Sequence, residues 1–139
     1  MTWSSRAALE LKLAGFSAAR DDARQARTLF SDAPGSLVTM AIAEVFLGDV
    51  RAAAADLREV AAKHPAELAA HAPIADASPD DILRRLSRDP AHAARAELAW
   101  GVLCQARAEN AEANGHYDAA LARDASLEGE IQRARAALQ

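Results

Sequence analysis

The sequence has a single cysteine and no long apolar segment. Cys104 has no second cysteine with which to form an intrachain disulfide, so nothing in the chain requires an oxidising compartment. Every apolar run falls short of the roughly 18 residues that a membrane span needs. The stretch from Met1 to Arg6 also lacks the basic segment and apolar block of a signal peptide. We therefore expect a cytoplasmic protein with no membrane partner.

Aromatic residues are scarce, and there is no surplus of basic residues. Aromatic side chains make up 4% of the chain, and the formal net charge is −4. Nucleic-acid-binding surfaces favour clustered Lys and Arg, so this charge argues against a nucleic-acid partner. Apolar residues are 51% of the 139 residues, and alanine supplies much of that share. The composition favours a single all-α domain in which small side chains let helices approach closely.

Patterns that carry catalysis or metal binding are also missing. The chain has no Gly-rich phosphate loop, nucleophile elbow or zinc motif. Adjacent carboxylates, such as Asp21–Asp22 and Asp80–Asp81, point about 100° apart on a helix, so neither pair converges on a substrate. Cys104 is expected to be a small buried hydrophobe. No two histidines have the three- or four-residue spacing of metal ligands on one helix face: His64, His71, His92 and His116. We expect no enzyme, metal or cofactor.

The segment around Leu47–Val50 has the pattern of a helical hairpin. The preceding residues, Ser36–Leu47, are almost wholly apolar, and Arg51–Lys63 is rich in alanine with scattered charges. Gly48 and Asp49 between two such segments predict a tight turn. Pro65 predicts the end of the second helix, because proline interrupts helical hydrogen bonding.

The chain matches itself when it is shifted by 34 residues. Trp3 then falls on Leu37 and Phe16 on Val50, so large apolar residues coincide. Such a period indicates repeated supersecondary units. Six residues of the first segment recur identically in the second: Ala7, Glu10, Leu13, Ala18, Ala19 and Arg24 fall on Ala41, Glu44, Leu47, Ala52, Ala53 and Arg58.

These features resemble a tetratricopeptide repeat. Gly48 stands at the turn, Ala53 follows five residues later, Leu57 four after that and Pro65 eight after that. The resemblance implies a superhelical stack of antiparallel helix hairpins in one domain covering residues 1–139. It divides the chain into repeat-like segments 3–33 and 34–67, an irregular segment 68–93, a repeat-like segment 94–127 and a C-terminal capping helix 128–139. A plain antiparallel helix bundle is the structural alternative.

Local signals predict where the helices begin and end. The first helix should run from Ser4 to Ala14, with Gly15 supplying a left-handed residue after it. The second should end near Phe30, before the turn residues 31–35. Residues suited to cap the start of a helix are Ser17, Ser36, Asp49, Ser78, Asn110 and Ser126.

The repeat pattern fails between Ala66 and Ala77. Pro73 and Pro79 stand where a regular helix would need backbone donors, and a proline in a helix interior costs about 3 kcal/mol. We expect a short helical turn near Glu67–His71, an irregular link, and then a compact helix that begins at Pro79. Asp89–Pro90 should close that helix.

Two registers compete in the third repeat-like segment. In one, the turn lies at Ala108–Asn110, and Asn114–Gly115 lies inside a helix. In the other, the turn lies at Asn114–Gly115. We favour the first, because Asn110 suits a helix start and one glycine in a helix costs only about 1 kcal/mol. Gly101 is then expected at a close helix–helix contact.

The predicted function is non-catalytic binding of a peptide or amphipathic helix of a partner protein. In a tetratricopeptide stack the first helix of each hairpin lines the concave face, and the resemblance therefore implies an apolar groove. The same residues would be core if the C-terminal helices covered them. The groove positions are Ala8, Leu11, Val38, Ile42, Val45, Leu98 and Val102.

Several roles fit this expectation. One is an adaptor or chaperone that shields an apolar segment, similar to the needle-subunit chaperones of type III secretion. Another is a homo-oligomer that uses the apolar face for self-association. The alternative from a different class is a small α-helical enzyme or ligand-binding bundle that uses histidines and carboxylates. The sequence shows no convergent polar cluster that would favour it.

Overall fold

The computed structural model describes residues 2–29 and 34–139, and these residues form nine α-helices. A short 3-10 turn, Ala125–Leu127, precedes the last helix. The all-α class predicted from the sequence is confirmed for the described residues. In chain order the helices are α1 (Trp3–Lys12), α2 (Phe16–Leu29), α3 (Pro34–Phe46), α4 (Val50–Lys63), α5 (Pro65–Ala69), α6 (Pro79–Ser87), α7 (Ala93–Ala106), α8 (Asn110–Arg123) and α9 (Glu128–Leu138).

Three pairs of consecutive helices pack as hairpins: α1 with α2, α3 with α4, and α7 with α8. The first two hairpins are joined by packing of α2 on α3. Helix α7 packs on α3 and also on α6, and α9 packs on both α4 and α7. The C-terminal half of the chain therefore lies against α3 and α4.

The same hydrogen-bonded turn closes all three hairpins. In each, the residue before the second helix donates its N–H to a carbonyl five residues earlier, inside the first helix. This pattern satisfies a carbonyl that the helix end would otherwise leave without a partner. The bonds are Gly15 N–H to Glu10 O at 2.7 Å, Asp49 N–H to Glu44 O at 2.8 Å, and Glu109 N–H to Cys104 O at 2.9 Å.

A left-handed residue makes each turn, and one of the three is a glycine. Gly48 takes a φ of 86°, as expected of a glycine at a helix end. Ala14 and Ala108 take φ values of 61° and 62°, a region that costs a residue with a side chain about 1–2 kcal/mol. The prediction that Gly15 is left-handed is therefore wrong, because the turn comes one residue earlier.

The third hairpin has its turn at Ala108, so the favoured register is confirmed. Asn114 and Gly115 lie inside α8. Gly101 lies at a close contact, as predicted: a Cβ atom built there would be 2.6 Å from Cδ1 of Tyr117. Only a residue without a side chain lets α7 approach α8 this closely.

Predicted caps are confirmed in two cases. The side chain of Asp49 accepts the N–H of Ala52 at 3.1 Å, and Ser78 accepts the N–H of Asp81 at 3.3 Å. The other predicted caps are wrong because the helices begin earlier or the residue lies in another turn. Ser17 and Ser36 lie inside α2 and α3, Asn110 is the first helical residue of α8, and Ser126 lies in the 3-10 turn.

The irregular segment contains two short helices. The predicted helical turn near residues 67–71 corresponds to α5, which begins directly after α4 at Pro65. The predicted compact helix is α6, and Pro79 is its first residue. The predicted end of α2 at Phe30, and residues 31–33 of the break after it, lie outside the described residues.

Candidate functional site

All seven positions predicted to line an apolar groove lie in the core. Helix α3 is enclosed by α2, α4 and α7. The expectation of an open groove is therefore corrected: the C-terminal helices cover these side chains, which was the alternative reading of the same pattern. The exposed fractions are Ala8 2%, Leu11 0%, Val38 7%, Ile42 2%, Val45 1%, Leu98 0% and Val102 0%.

A group of polar side chains converges around Asp80, in the first turn of α6. Asp80 Oδ1 accepts hydrogen bonds from Arg107 Nη1 at 2.8 Å and from Trp100 Nε1 at 3.0 Å. Asp80 Oδ2 lies 2.7 Å from His71 Nδ1. One carboxylate thus joins the α5–α6 link, α6 and the C-terminal part of α7.

His71 connects two carboxylates. Its Nδ1 faces Asp80, and its Nε2 lies 2.7 Å from Glu109 Oε2, in the turn between α7 and α8. Both ring nitrogens can donate at once only in the protonated imidazolium form. His71 has a φ of 57° because it ends α5 with the same turn that closes the hairpins. That backbone conformation directs the residue out of the helix.

Arg107 contributes a buried positive charge. Its side chain is 2% exposed, and Nη1 lies 2.8 Å from Asp80 Oδ1 and 4.0 Å from Glu109 Oε1. Burial acts to raise the pKa of Asp80, but the hydrogen bond and charge of Arg107, followed by those of His71, hold this pKa below its usual value. The carboxylate of Asp80 therefore lies at the centre of a group of ion pairs and hydrogen bonds that stabilise its negative charge.

Aromatic stacking extends the network along α7 and α8. The indole of Trp100 stacks on the imidazole of His116, with ring centroids 4.2 Å apart and an interplanar angle of 15°. The guanidinium of Arg84 lies 5.4 Å from the centroid of the Trp100 ring. His116 Nδ1 lies 2.7 Å from Glu97 Oε2, which fixes the orientation of its ring.

Together these side chains form a cleft of about 390 Å³. Helices α6, α7 and α8 and the α5–α6 link supply its walls. We call it the charged cleft; it is lined by His71, Asp80, Arg84, Trp100, Cys104, Arg107, Glu109, Glu112 and His116.

Cys104 lies in the wall of the charged cleft but is not suited to act as a nucleophile. It is 3% exposed, and burial raises the pKa of its thiol to about 12. A thiol of that pKa is protonated at neutral pH, and the thiolate is the reactive form. The prediction of a small buried hydrophobe is confirmed for this residue. Within residues 2–29 and 34–139, no three His, Cys, Asp or Glu side chains are placed to hold a metal ion.

The sequence reasoning missed the charged cleft. The adjacency of Asp80 and Asp81 indicates only that their carboxylates diverge, and the expectation that no polar cluster converges is wrong. The two aspartates do diverge, as predicted: Asp81 is 72% exposed, whereas Asp80 is 16% exposed. Charged residues are no more frequent in and after the irregular segment than in the whole chain, so composition gives no signal for the cleft.

Comparison of the chain with protein-family models, with curated proteins and with solved structures finds no significant match. None of the helices described here combines the length and apolar character that a membrane crossing requires.

Proposed function

We propose that this protein is a non-catalytic protein-interaction module that holds a segment of a partner protein in the charged cleft. The observation that carries the proposal is the cleft itself: about 390 Å³ of open space bounded by ionised and aromatic side chains in an otherwise alanine-rich protein. Aromatic residues and arginine are enriched in protein interfaces, and a few placed polar or charged groups in a concave site give specificity.

The balance of charge favours a basic partner segment. Two guanidinium groups and two imidazoles contribute at most four positive charges, from Arg84, Arg107, His71 and His116. Five carboxylates contribute negative charge. Asp80, Glu109 and Glu112 line the cleft. Asp81 and Glu97 do not line it but are paired with the lining residues Arg84 and His116. The site therefore has an acidic surplus even with both imidazoles charged, and Glu112 is its most exposed lining carboxylate. Complementary charge would select a lysine- or arginine-bearing peptide or amphipathic helix.

The scaffold that we propose for this module is a tetratricopeptide-like stack. Its support is the turn shared by the three hairpins and the position of the small residues that the resemblance implies. Ala19 and Ala53 are both 0% exposed, and Ala113 of the third hairpin is 2% exposed. Small buried residues at equivalent positions are what close packing of repeated helix pairs requires.

Self-association is a second candidate function. Leu9 lies on α1, Leu13 caps the C-terminal end of that helix one turn later, and the two are 42% and 69% exposed. Exposed leucines at this spacing form an apolar strip that a second copy of the chain could cover. This surface is separate from the charged cleft, so the two candidates can be told apart by experiment.

The test is a titration with synthetic helical peptides of matched length, one basic and one acidic. Trp3→Phe leaves Trp100 as the fluorescent reporter in the charged cleft. We expect the basic peptide to quench Trp100 and to bind more weakly as salt increases, because exposed charges are screened. Glu112→Gln should weaken binding by about two- to fivefold, the range of one exposed ion pair.

The matched control is Asp118→Asn, an equivalent change at an exposed position of the same helix. It should leave the affinity unchanged. Equal binding of the acidic and basic peptides, or equal loss in both variants, would contradict the proposed site.

A further inference from the structure

Two hairpins contain a pair of carboxyl groups at equivalent positions. Glu10 of α1 pairs with Asp22 of α2, and Glu44 of α3 pairs with Asp56 of α4. The second pair lies 34 residues after the first at both positions. In each hairpin the first acid is also the residue whose carbonyl receives the closing hydrogen bond of the turn. The pairs are therefore a repeated feature of the fold.

Each pair has buried oxygen atoms that accept no hydrogen bond. Glu44 is 6% exposed and Asp22 is 9% exposed. Among the described residues, six buried side-chain nitrogen or oxygen atoms have no hydrogen-bond partner, and four of them belong to these two pairs: Glu10 Oε1, Asp22 Oδ2, Glu44 Oε1 and Asp56 Oδ2. An ionised carboxylate only accepts hydrogen bonds, so two of them in contact repel each other and satisfy neither.

We infer that each carboxyl pair holds one shared proton, and that release of this proton as the pH rises loosens first the α1–α2 hairpin and then the α3–α4 hairpin. The shared proton supplies the missing donor and removes one of two like charges from a buried site. The stability of these two hairpins thereby depends on pH, through carboxyl groups that lie outside the charged cleft.

The surroundings of the two pairs set the order of release. Burial is the main cause that raises the pKa of Glu10 to about 7, and the hydrogen bond and charge of Asp22 add to it. Arg6 opposes this increase, and Asp21 adds to it. Arg6 also approaches the pair directly, with Nε 3.5 Å from Asp22 Oδ2. The Glu10 carboxyl group of the first pair therefore titrates close to neutral pH.

The second pair is more deeply buried. Burial, followed by the hydrogen bond and charge of Asp56, raises the pKa of Glu44 to about 9, with a further contribution from Asp49 and opposition from Arg24. Burial also raises the pKa of Asp56, against the charges of Arg27 and Arg24. Arg27 is itself paired with Glu59 at 2.7 Å, which limits what it can offer Asp56.

The third hairpin lacks such a carboxyl pair. When the three turns are aligned, the positions of Glu44 and Asp56 correspond to Cys104 and His116. His116 is oriented by Glu97 instead, at 2.7 Å. The α7–α8 hairpin thus serves as an internal reference that should not respond to this proton release.

The direction of the effect follows from linkage. The native state keeps a proton that the unfolded chain releases near pH 4.5, the ordinary value for Glu. Stability from this source is therefore complete below that pH and is lost as the pH rises through about 7 for Glu10 and about 9 for Glu44. Each pair should lower the folding equilibrium constant about tenfold per pH unit between pH 4.5 and its native value, and the loss levels off above that value.

Urea unfolding of the full chain at pH 6, 8 and 10 tests the inference, with Glu10→Gln and Glu44→Gln as variants. A glutamine amide donates permanently to the partner carboxylate, so it replaces the shared proton. Glu10→Gln should remove about a tenfold loss between pH 6 and 8. Glu44→Gln should remove about a hundredfold loss between pH 6 and 8 and about a further tenfold loss between pH 8 and 10. Asp118→Asn is the control that should reproduce the wild-type profile.

Cys104 and Tyr117 are present in every variant. Any effect of their alkaline titration on stability therefore cancels when a variant is compared with wild type at the same pH. Profiles of both glutamine variants that run parallel to wild type would overturn the inference. If either variant fails to fold, carbon-13 titration of the wild-type side chains decides. Carboxyl resonances of Glu10 and Glu44 that titrate between pH 4 and 5 would refute it, and titration near 7 and 9 would support it.

Discussion

Removal of the Asp80 carboxylate is the most informative perturbation of the charged cleft. Asp80→Ala would remove the hydrogen-bonded carboxylate of the Arg107 guanidinium, which is 2% exposed, and leave only the more distant Glu109 at 4.0 Å. Trp100 Nε1 and His71 Nδ1 would also lose their acceptor. Loss of one partner of a buried ion pair costs about 3–5 kcal/mol, because the other charge remains buried without compensation.

That loss is a large share of the free energy of unfolding of a typical domain, which is about 5–15 kcal/mol. Urea denaturation followed by circular dichroism measures it directly. Asp81→Ala is the matched control: Asp81 is the next residue, is 72% exposed and pairs with Arg84 on the surface. That change should cost less than about 1 kcal/mol.

The pH dependence of the free energy of unfolding provides a second measurement of the contribution of Asp80. The pKa of Asp80 lies below its usual value, so its contribution to stability is present above the ordinary value of 3.8 and is lost as the pH falls through the native value. Asp80→Asn keeps an acceptor oxygen but cannot titrate, so this acid-induced loss should be smaller in the variant. An Asp80→Ala variant that loses no more stability than Asp81→Ala would refute the central role of Asp80 in the ion network.

Two further predictions concern the turns and the closest helix contact, and urea denaturation measures both. Ala108→Gly should raise the free energy of unfolding by about 0.5–1 kcal/mol by relieving a positive φ of 62°, and Gly48→Ala should lower it by about 1 kcal/mol for the converse reason. No change in either variant would contradict the role of the left-handed residue. Gly101→Ala should lower it by about 1–3 kcal/mol, because the new methyl group would meet the Tyr117 ring at 2.6 Å. Gly115→Ala has open space in a helix and should raise it by about 1 kcal/mol, so destabilisation by both changes would count against the packing argument.

Local pattern was sufficient to predict the hairpins and the register of the third one. The turn at Gly48 and the break at Pro65 act within a few residues, and the cost of one helical glycine correctly favoured a turn at Ala108–Asn110. Capping residues were less reliable because serine and asparagine also occur inside a first turn. Helix α3 is an example: the fixed φ of Pro34 suits the first position of a helix, so α3 begins there, two residues before Ser36.

The location of the candidate site depended on tertiary contacts that periodicity does not encode. The apolar character of Ser36–Leu47 indicated burial but could not show whether a partner or the same chain covers it; α7 covers it. His71, Asp80 and Arg107 come from three separate elements. They meet because the irregular link after α5 follows a path that no repeat pattern predicts.

Mapping of the bound peptide by NMR tests the central claim most directly. Backbone amide shifts of the nitrogen-15-labelled protein would be recorded while the basic helical peptide is added. If the account is correct, the shifted amides cluster around the charged cleft, in the residues near His71, in α6, and in the facing parts of α7 and α8. Shifts confined to the outer face of α1, around Leu9 and Leu13, or no saturable shifts with the basic peptide, would contradict it.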